Sequence, residues 1–496
     1  LSFGTFSDYF NELESWYRKH KIEPPSITFD FFPYMCEKGD YWTGYYTTRP
    51  FYKKQSRQTH HLIRTADILS AEAGLTDAYE RLNQARRILA LFQHHHAITG
   101  TSRIHVMQDY SQQLFDAGNI AKSVIEESIR KLANKDEKTK MVRYEFSMNE
   151  PIEKTLLTVE KGIPIHISLY NSLPYIRHSV VSLLVTTEKC SVFDSDGEEV
   201  EAQIVPALVH GTWRKDGVLI SFRVSLPHLS SRVYTIHHSE SSSQTSVVHL
   251  SSPNVDNLKE QLPIIFTITP ISSTTITLAN GDLSTTHDAG SGMMKSAKSS
   301  TMGVVSLGLG VRQFIHSRGG AYVLREHGKD MNVSMTSVLF VCGPVQSSAH
   351  SLGSIVQHST TVRNLPGVPS DQVHVSVRVE SNQHNTEMVW AVQSEGDDSS
   401  SFYTDSVGFQ MLRRKSYSTL TTPANYYPMP TAAILEDSMK RITIVSDVPH
   451  GVMGTGRMGL KVMIDRMLNQ DDGKGLGQGF DSYPTDLLPI EMHFTI

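Results

Sequence analysis

Three adjacent histidines, His94-His95-His96, are the most chemically loaded residues in the chain. Neutral imidazole is a good ligand for zinc. The trio follows Gln93 at the end of an apolar-periodic stretch and runs into Ala97-Ile98-Thr99-Gly100-Thr101. If the helix continues through it, neighbouring side chains point ~100° apart, given 3.6 residues per turn. One histidine at most then ligates an ion, and the others orient it or touch a substrate. The same trio also reads as a positive cluster at a helix C-terminus, where the macrodipole favours it. No helix-spaced His-x-x-x-His pair accompanies it to decide the matter.

A second cluster is aromatic: Tyr41-Trp42-Thr43-Gly44-Tyr45-Tyr46. Sugars present C–H faces that stack on such rings, and mixed aromatic–polar stretches suit carbohydrate clefts. The rings equally suit an anchor at the start of a helical bundle. A third segment, Asp471 to Gly479, is rich in glycine and acid. Its spacing departs from the EF-hand loop, and it lacks the Gly-Lys-Ser/Thr ending of a phosphate loop. A tight turn after a strand ending near Met467 accounts for it. There is no Gly-x-Ser-x-Gly elbow, and Cys36, Cys190 and Cys342 carry no nucleophile signature.

The elements that must position these residues come in two regimes. The first third is helical. Leu62, Ala66 and Leu69 share a face from Tyr52 to Ala73, with Gly74 as a stop. Asp77 and Glu80 resemble a capping box. The next helix presents Tyr79, Leu82, Ala85, Leu89 and Phe92. A third stretch presents Val106, Tyr110, Leu114, Ala117, Ala121, Ile125 and Leu132. Three helices with short connections predict a small bundle. Beyond about Lys135 the period becomes two. Val373, Val375, Val377 and Val379 alternate with polar residues, as do Ile220, Phe222, Val224 and Leu226. Shorter runs lie near 264–268, 442–445 and 460–464. Many short strands between polar turns predict β-sandwich material. The Ser/Gly/Thr-rich segments Ser239–Pro253 and Ser284–Thr301 read as loops.

The 496 residues carry 46 Lys+Arg against 51 Asp+Glu, a net charge of −5. That balance offers no footprint for nucleic acid. Hydrophobic residues make up 39%, enough for buried cores rather than wholesale disorder. Three cysteines build no disulfide framework. No apolar run approaches the ~20 residues of a membrane span. The start at Leu1, with no signal-peptide pattern, reads as processing or a fragment. One sequon, Asn332-Val333-Ser334, could accept a glycan in a secretory compartment.

Taken together, the motifs resemble glycoside hydrolase family 38, the α-mannosidases, and most closely its Golgi N-glycan-processing branch. The carriers are Tyr41 to Pro50, Leu91 to Thr101, Gly320-Ala321-Tyr322, Phe402-Tyr403-Thr404-Asp405, and Asp471-Asp472 followed by Gly475 to Gly479. The resemblance implies an α+β multidomain chain. Residues 1–40 would end an α/β barrel-like catalytic domain, 41–137 would form the three-helix middle domain, and 138–496 a large all-β sandwich region. It implies a zinc-dependent glycosidase that trims α-linked mannose from N-glycans with retention, in the Golgi lumen or another secretory compartment. His95 then matches a zinc ligand, Trp42 stacks under mannose, and Tyr322 reaches the sugar with its hydroxyl. His96, Asp472 and Lys474 fall in the same pocket. His96 stands where the family has aspartate and Lys474 where arginine is usual. Cys36 replaces an acidic residue. No catalytic carboxylate is assigned to this chain, so the fragment alone is expected to be inactive. The partners implied are N-glycans and, for the chain itself, a homodimer is allowed; any membrane anchor would lie before Leu1. The alternative is a non-catalytic carbohydrate-binding or scaffolding paralogue.

Overall fold

The computed structural model describes residues 3–133, 154–209, 212–241, 243–251, 262–316, 319–365, 367, 371–381, 383–396, 401–467, 470–476 and 488–496. The chain divides into two compact units, Leu1–Phe32 and Pro33–Ile496.

The first unit is one helix, α1 (Phe6–His20), followed by chain with no regular element. Its start is well specified. Asp8 N donates to Thr5 Oγ1 at 3.2 Å and Thr5 N donates to Asp8 Oδ2 at 2.8 Å, a reciprocal capping box. Lys21, left-handed at φ 54°, ends it. None of its residues is buried.

In the second unit, α2 (Pro50–Glu72), α3 (Ala78–Phe92) and α4 (Ile104–Leu132) form the expected bundle. Gly74, at φ 62°, follows the end of α2 as predicted. Ala66, Ala85, Ala117 and Ala121 are wholly buried in the bundle core, and such small side chains let helices approach closely. Leu82 and Leu114, also buried, each contribute roughly 1.5–3 kcal/mol of burial. The predicted faces are offset at their edges. Tyr79 on α3 and Leu132 on α4 are exposed: the buried stripe of α3 runs through Ala78, Leu82, Ala85 and Phe92, and that of α4 through Met107, Ser111, Leu114, Gly118 and Ala121. Asp77 makes no capping bond and instead receives Arg81 Nη2 at 3.3 Å.

The described residues after α4 form five sheets. The alternation read from sequence holds in the strands His374–Val379 and Thr212–Leu226, whose valines and large apolar residues face the cores. One core lies among a five-stranded sheet, a four-stranded sheet and the edge of an eleven-stranded sheet. The other lies among the rest of the eleven-stranded sheet, a six-stranded sheet and a second four-stranded sheet. The strand Ser337–Cys342 serves both. Leu339 and Val341 enter the first core, and Val338 and Phe340 enter the second.

The hydroxyl-rich segment 284–301 is not a loop. It holds most of the strand Leu283–Asp288 and all of Met294–Ser299. Leu283, Thr285 and His287 alternate inward, and Thr285 Oγ1 meets His287 Nε2 at 2.9 Å, so the polar atoms are satisfied in place. Likewise Val247–Ser251 is a strand within the segment read as a loop from 239 to 253. In contrast, the apolar run at 264–268 contributes only to Thr267–Pro270, and Ile264 is fully exposed.

Candidate functional site

Four segments meet: 40–49 before α2, the turn 93–102 after α3, the loop 319–325, and the turn 470–476. Helix α3 stops at Phe92, so the three histidines sit in turns rather than on a helix. The 100° separation therefore does not apply. Ring centroids lie 4.3 Å (His94–His95), 4.1 Å (His95–His96) and 5.2 Å (His94–His96) apart. Their nitrogens come within 4.8 Å of one another, the one such convergence of three metal-ligating side chains among the described residues.

This turn is fixed from beneath. Gly100 adopts φ 72°, and a Cβ there would strike the carbonyl of Thr48 at 2.6 Å. Arg49, itself left-handed at φ 55°, donates through Nη1 to Gly100 O at 2.9 Å and Ser102 O at 2.5 Å. Lys53 donates from Nζ to Ile98 O at 2.6 Å. Burial, then the charges of Arg49 and Arg466, hold the Lys53 amine well below its ordinary range.

From the histidines the site continues into the aromatic pair. Tyr322 Oη lies 3.3 Å from His96 Nδ1, and the two rings are 6.4 Å apart, edge to face. Tyr322 packs on Trp42 at 4.8 Å, and Trp42 on Tyr34 at 5.2 Å. Burial first, then the neighbouring His95 and His94, push the His96 pKa down, which favours the neutral ring.

Asp472 and Lys474 approach from the glycine-rich turn, where Gly473 and Gly475 take φ 72° and 98°. Gly477, Gln478 and Gly479 lie outside the described residues. Asp472 Oδ2 accepts from Tyr322 N at 2.8 Å and Val323 N at 2.9 Å, so it fixes the loop that carries the tyrosine. A side chain at Gly320 would overlap Asp472. Lys474 Nζ lies 3.3 Å from Asp40 Oδ2, and Arg325 pairs with the same carboxylate. Burial opposes the Lys474 charge, but the bond and charge of Asp40, with Glu37 and Cys36, raise its pKa overall. Cys36 is exposed.

Sequence reasoning missed the tie beneath these loops. Arg466 and Glu387 are completely buried and paired at 2.8 Å, directly opposite each other on adjacent strands. Arg466 also donates to Thr48 Oγ1 at 2.7 Å, Gly320 O at 3.0 Å and Val323 O at 3.2 Å. One guanidinium thus holds both the Trp42 segment and the Tyr322 loop. Gly44 is required because a Cβ there would collide with that guanidinium. Only the register reveals this pair; neither residue carries a local motif.

Comparisons agree with this geography. The family description "Alpha mannosidase middle domain" matches residues 40–132. "Glycosyl hydrolases family 38 C-terminal domain" matches residues 278–474. An α-mannosidase 2 of Drosophila melanogaster is 31% identical over 518 residues, covering 96% of this chain and 46% of the relative. The Homo sapiens α-mannosidase 2 is also 31% identical, covering 97% of this chain and 45% of the relative. The chain therefore spans about half the length of the curated relatives it matches. The crystal structure of an α-mannosidase from Enterococcus faecalis V583 superposes with a TM-score of 0.64 at 12% identity, covering 99% of this chain and 58% of that one, which speaks to the fold. With matched domains that hold the bundle, the histidine turn, Tyr322, Asp472 and Lys474, the chain belongs to glycosyl hydrolase family 38.

Proposed function

We propose that these residues form the middle and C-terminal part of a zinc-dependent, retaining α-mannosidase that acts on N-glycans in the secretory pathway. The observation that carries this reading is the convergence of Trp42, Tyr322, His95, His96, Asp472 and Lys474 from four separate segments. An aromatic face beside convergent polar groups suits a pyranose. Among the described residues Trp42 Nε1 and Asp472 Oδ1 are buried without a hydrogen-bond partner, which leaves a donor and an acceptor for a polar ligand. In this reading Trp42 stacks on mannose, Tyr322 and His96 reach its hydroxyls, and Lys474 lies at the rim. The donor set at His95 suits zinc, which when bound would supply a Lewis-acid grip on sugar hydroxyls. The exposed sequon at Asn332 fits a secretory setting.

Retention calls for two carboxyl groups ≈ 5–5.5 Å apart. Of the two carboxylates flanking the aromatic pair, Asp472 is anchored to the loop amides through Oδ2, and Asp40 is paired with Lys474 and Arg325. We infer that these 496 residues supply binding groups and not the catalytic pair. The purified chain should then fail to hydrolyse an aryl α-mannoside even with zinc, and clear zinc-dependent turnover overturns that inference. Mannose should still perturb tryptophan fluorescence, and Trp42→Ala should abolish the change.

One observation favours a non-catalytic glycan-binding paralogue instead. The Tyr322 hydroxyl, the group assigned to the sugar, is already engaged by His96. Glycan binding that survives both chelation and His95→Ala would support this second reading.

A further inference from the structure

We propose that the β region carries a second saccharide-binding site, on the outward face of the strands Cys190–Phe193 and Ser230–His238. It shares no segment with the Trp42–Tyr322 pocket. Its ligand class is read from its own lining and does not rest on the mannosidase reading. The site is an open cavity of ≈ 480 Å³, within the usual size of small-molecule sites.

Strand register builds it. Ser191 stands opposite His237, and Phe193 opposite Thr235, on antiparallel strands. Opposed residues, and residues two apart along a strand, share one face, so these four side chains form a block. Val192 and Ile236, the opposed pair between them, are wholly buried on the other face and hold the block in place. Cys190 opposes His238, so Ser239 completes the lining at one end and Asp194 at the other.

The lining selects the ligand. Phe193 and His237 pack edge to face at 5.3 Å, which gives a fixed aromatic wall of the kind that sugar C–H groups stack on. Asp194 Oδ1 accepts from Asp196 N at 2.9 Å and Glu198 N at 3.0 Å. Those bonds orient the carboxylate and leave Oδ2 to accept from a ligand hydroxyl. Thr235 Oγ1, held at 3.1 Å by His166 Nδ1, and the hydroxyls of Ser191 and Ser239 add further polar groups. The exposed His237 ring makes no hydrogen bond among the described residues and can donate or accept. Two other ligand classes fit less well. Among the described residues no Lys or Arg lines the cavity, so an anion would face the Asp194 charge uncompensated. Nor do three metal-ligating groups converge here among the described residues. A neutral polyol with apolar C–H faces satisfies the whole set.

The test is photolabelling of the 496-residue chain with diazirine-bearing α-glycosides of mannose, glucose, galactose, N-acetylglucosamine and fucose, mapped by peptide mass spectrometry. At least one glycoside should label residues 191–195 or 235–239, and excess of the unmodified glycoside should compete it away. Phe193→Ala and His237→Ala should each weaken that binding by about tenfold. His237→Ala, an exposed change, keeps the test valid should Phe193→Ala destabilise the sheet. Trp42→Ala should leave this label in place. Label beside Trp42 alone overturns the second site and leaves the first reading standing. Label in the β region alone does the reverse, and label at neither overturns both. Competition by inorganic phosphate, or label indifferent to both β-region variants, also overturns the proposal.

Discussion

Two groups of histidines in this molecule make opposite use of the same side chain. His94, His95 and His96 crowd together in a partly exposed turn, and their nitrogens remain largely uncommitted. His287, His350 and His358 also lie close enough to influence one another, but in the β region, where His287 and His358 are buried and His350 is partly so. There each ring is held through at least one nitrogen. His287 bridges Thr285 and Gly292 O, His350 meets Ser348, and His358 accepts from Trp390 Nε1 at 3.3 Å. Proximity alone therefore does not make a ligand set. What separates a candidate metal turn from structural struts is access to water: among the described residues His350 Nδ1 and His358 Nδ1 also lack a partner, but both atoms are buried.

The sharpest way to expose that difference is acid. Burial pushes His287, His350 and His450 down to about 4, and His358, also repelled by His287 and His350, to about 3. The unfolded chain titrates these near 6.5. Between those values the unfolded state binds more protons, so stability is full above pH 6.5 and falls as pH drops toward 4. At ~1.4 kcal/mol per unit, the buried rings together cost several kcal/mol. Asp465, raised to about 7 by burial, works the other way over the same range, as one group against four. Denaturant unfolding at pH 7 and pH 4.5 should show the net loss; equal midpoints would contradict the neutral assignment.

A smaller effect follows from cutting one strut. His358→Ala leaves the wholly buried Trp390 indole N–H unpaired and opens a cavity, a loss of about 2–4 kcal/mol in chemical denaturation. Smallest of all, His94→Ala in metal-free protein should shift stability by less than about 0.5 kcal/mol, because the side chain is exposed and makes no strut. A large loss there would erase the contrast.

The helices and the clean strands were legible because their periods are strong: 3.6 through Ala117 and Ala121, and 2 through Val373 to Val379. The segment 284–301 was misread because serine and threonine signal turns in isolation, yet here Thr285 and His287 satisfy each other inside a strand. The histidine geometry was misjudged because nothing in Leu91 to His96 marks the helix end at Phe92. The gathering of Trp42, Tyr322 and the histidine turn came from family resemblance rather than spacing. The Glu387–Arg466 pair beneath them was invisible, since burying opposite charges on facing strands depends on a register that no short window contains.

The strand Ser337–Cys342, with side chains in both β cores, makes the two halves of the sandwich region share one cooperative unit. Neither half can open without stripping the other of a wall. In native-state hydrogen exchange, the amides of 218–226 and 375–379 should accordingly report a common opening, and a probe in either core would read the integrity of the whole.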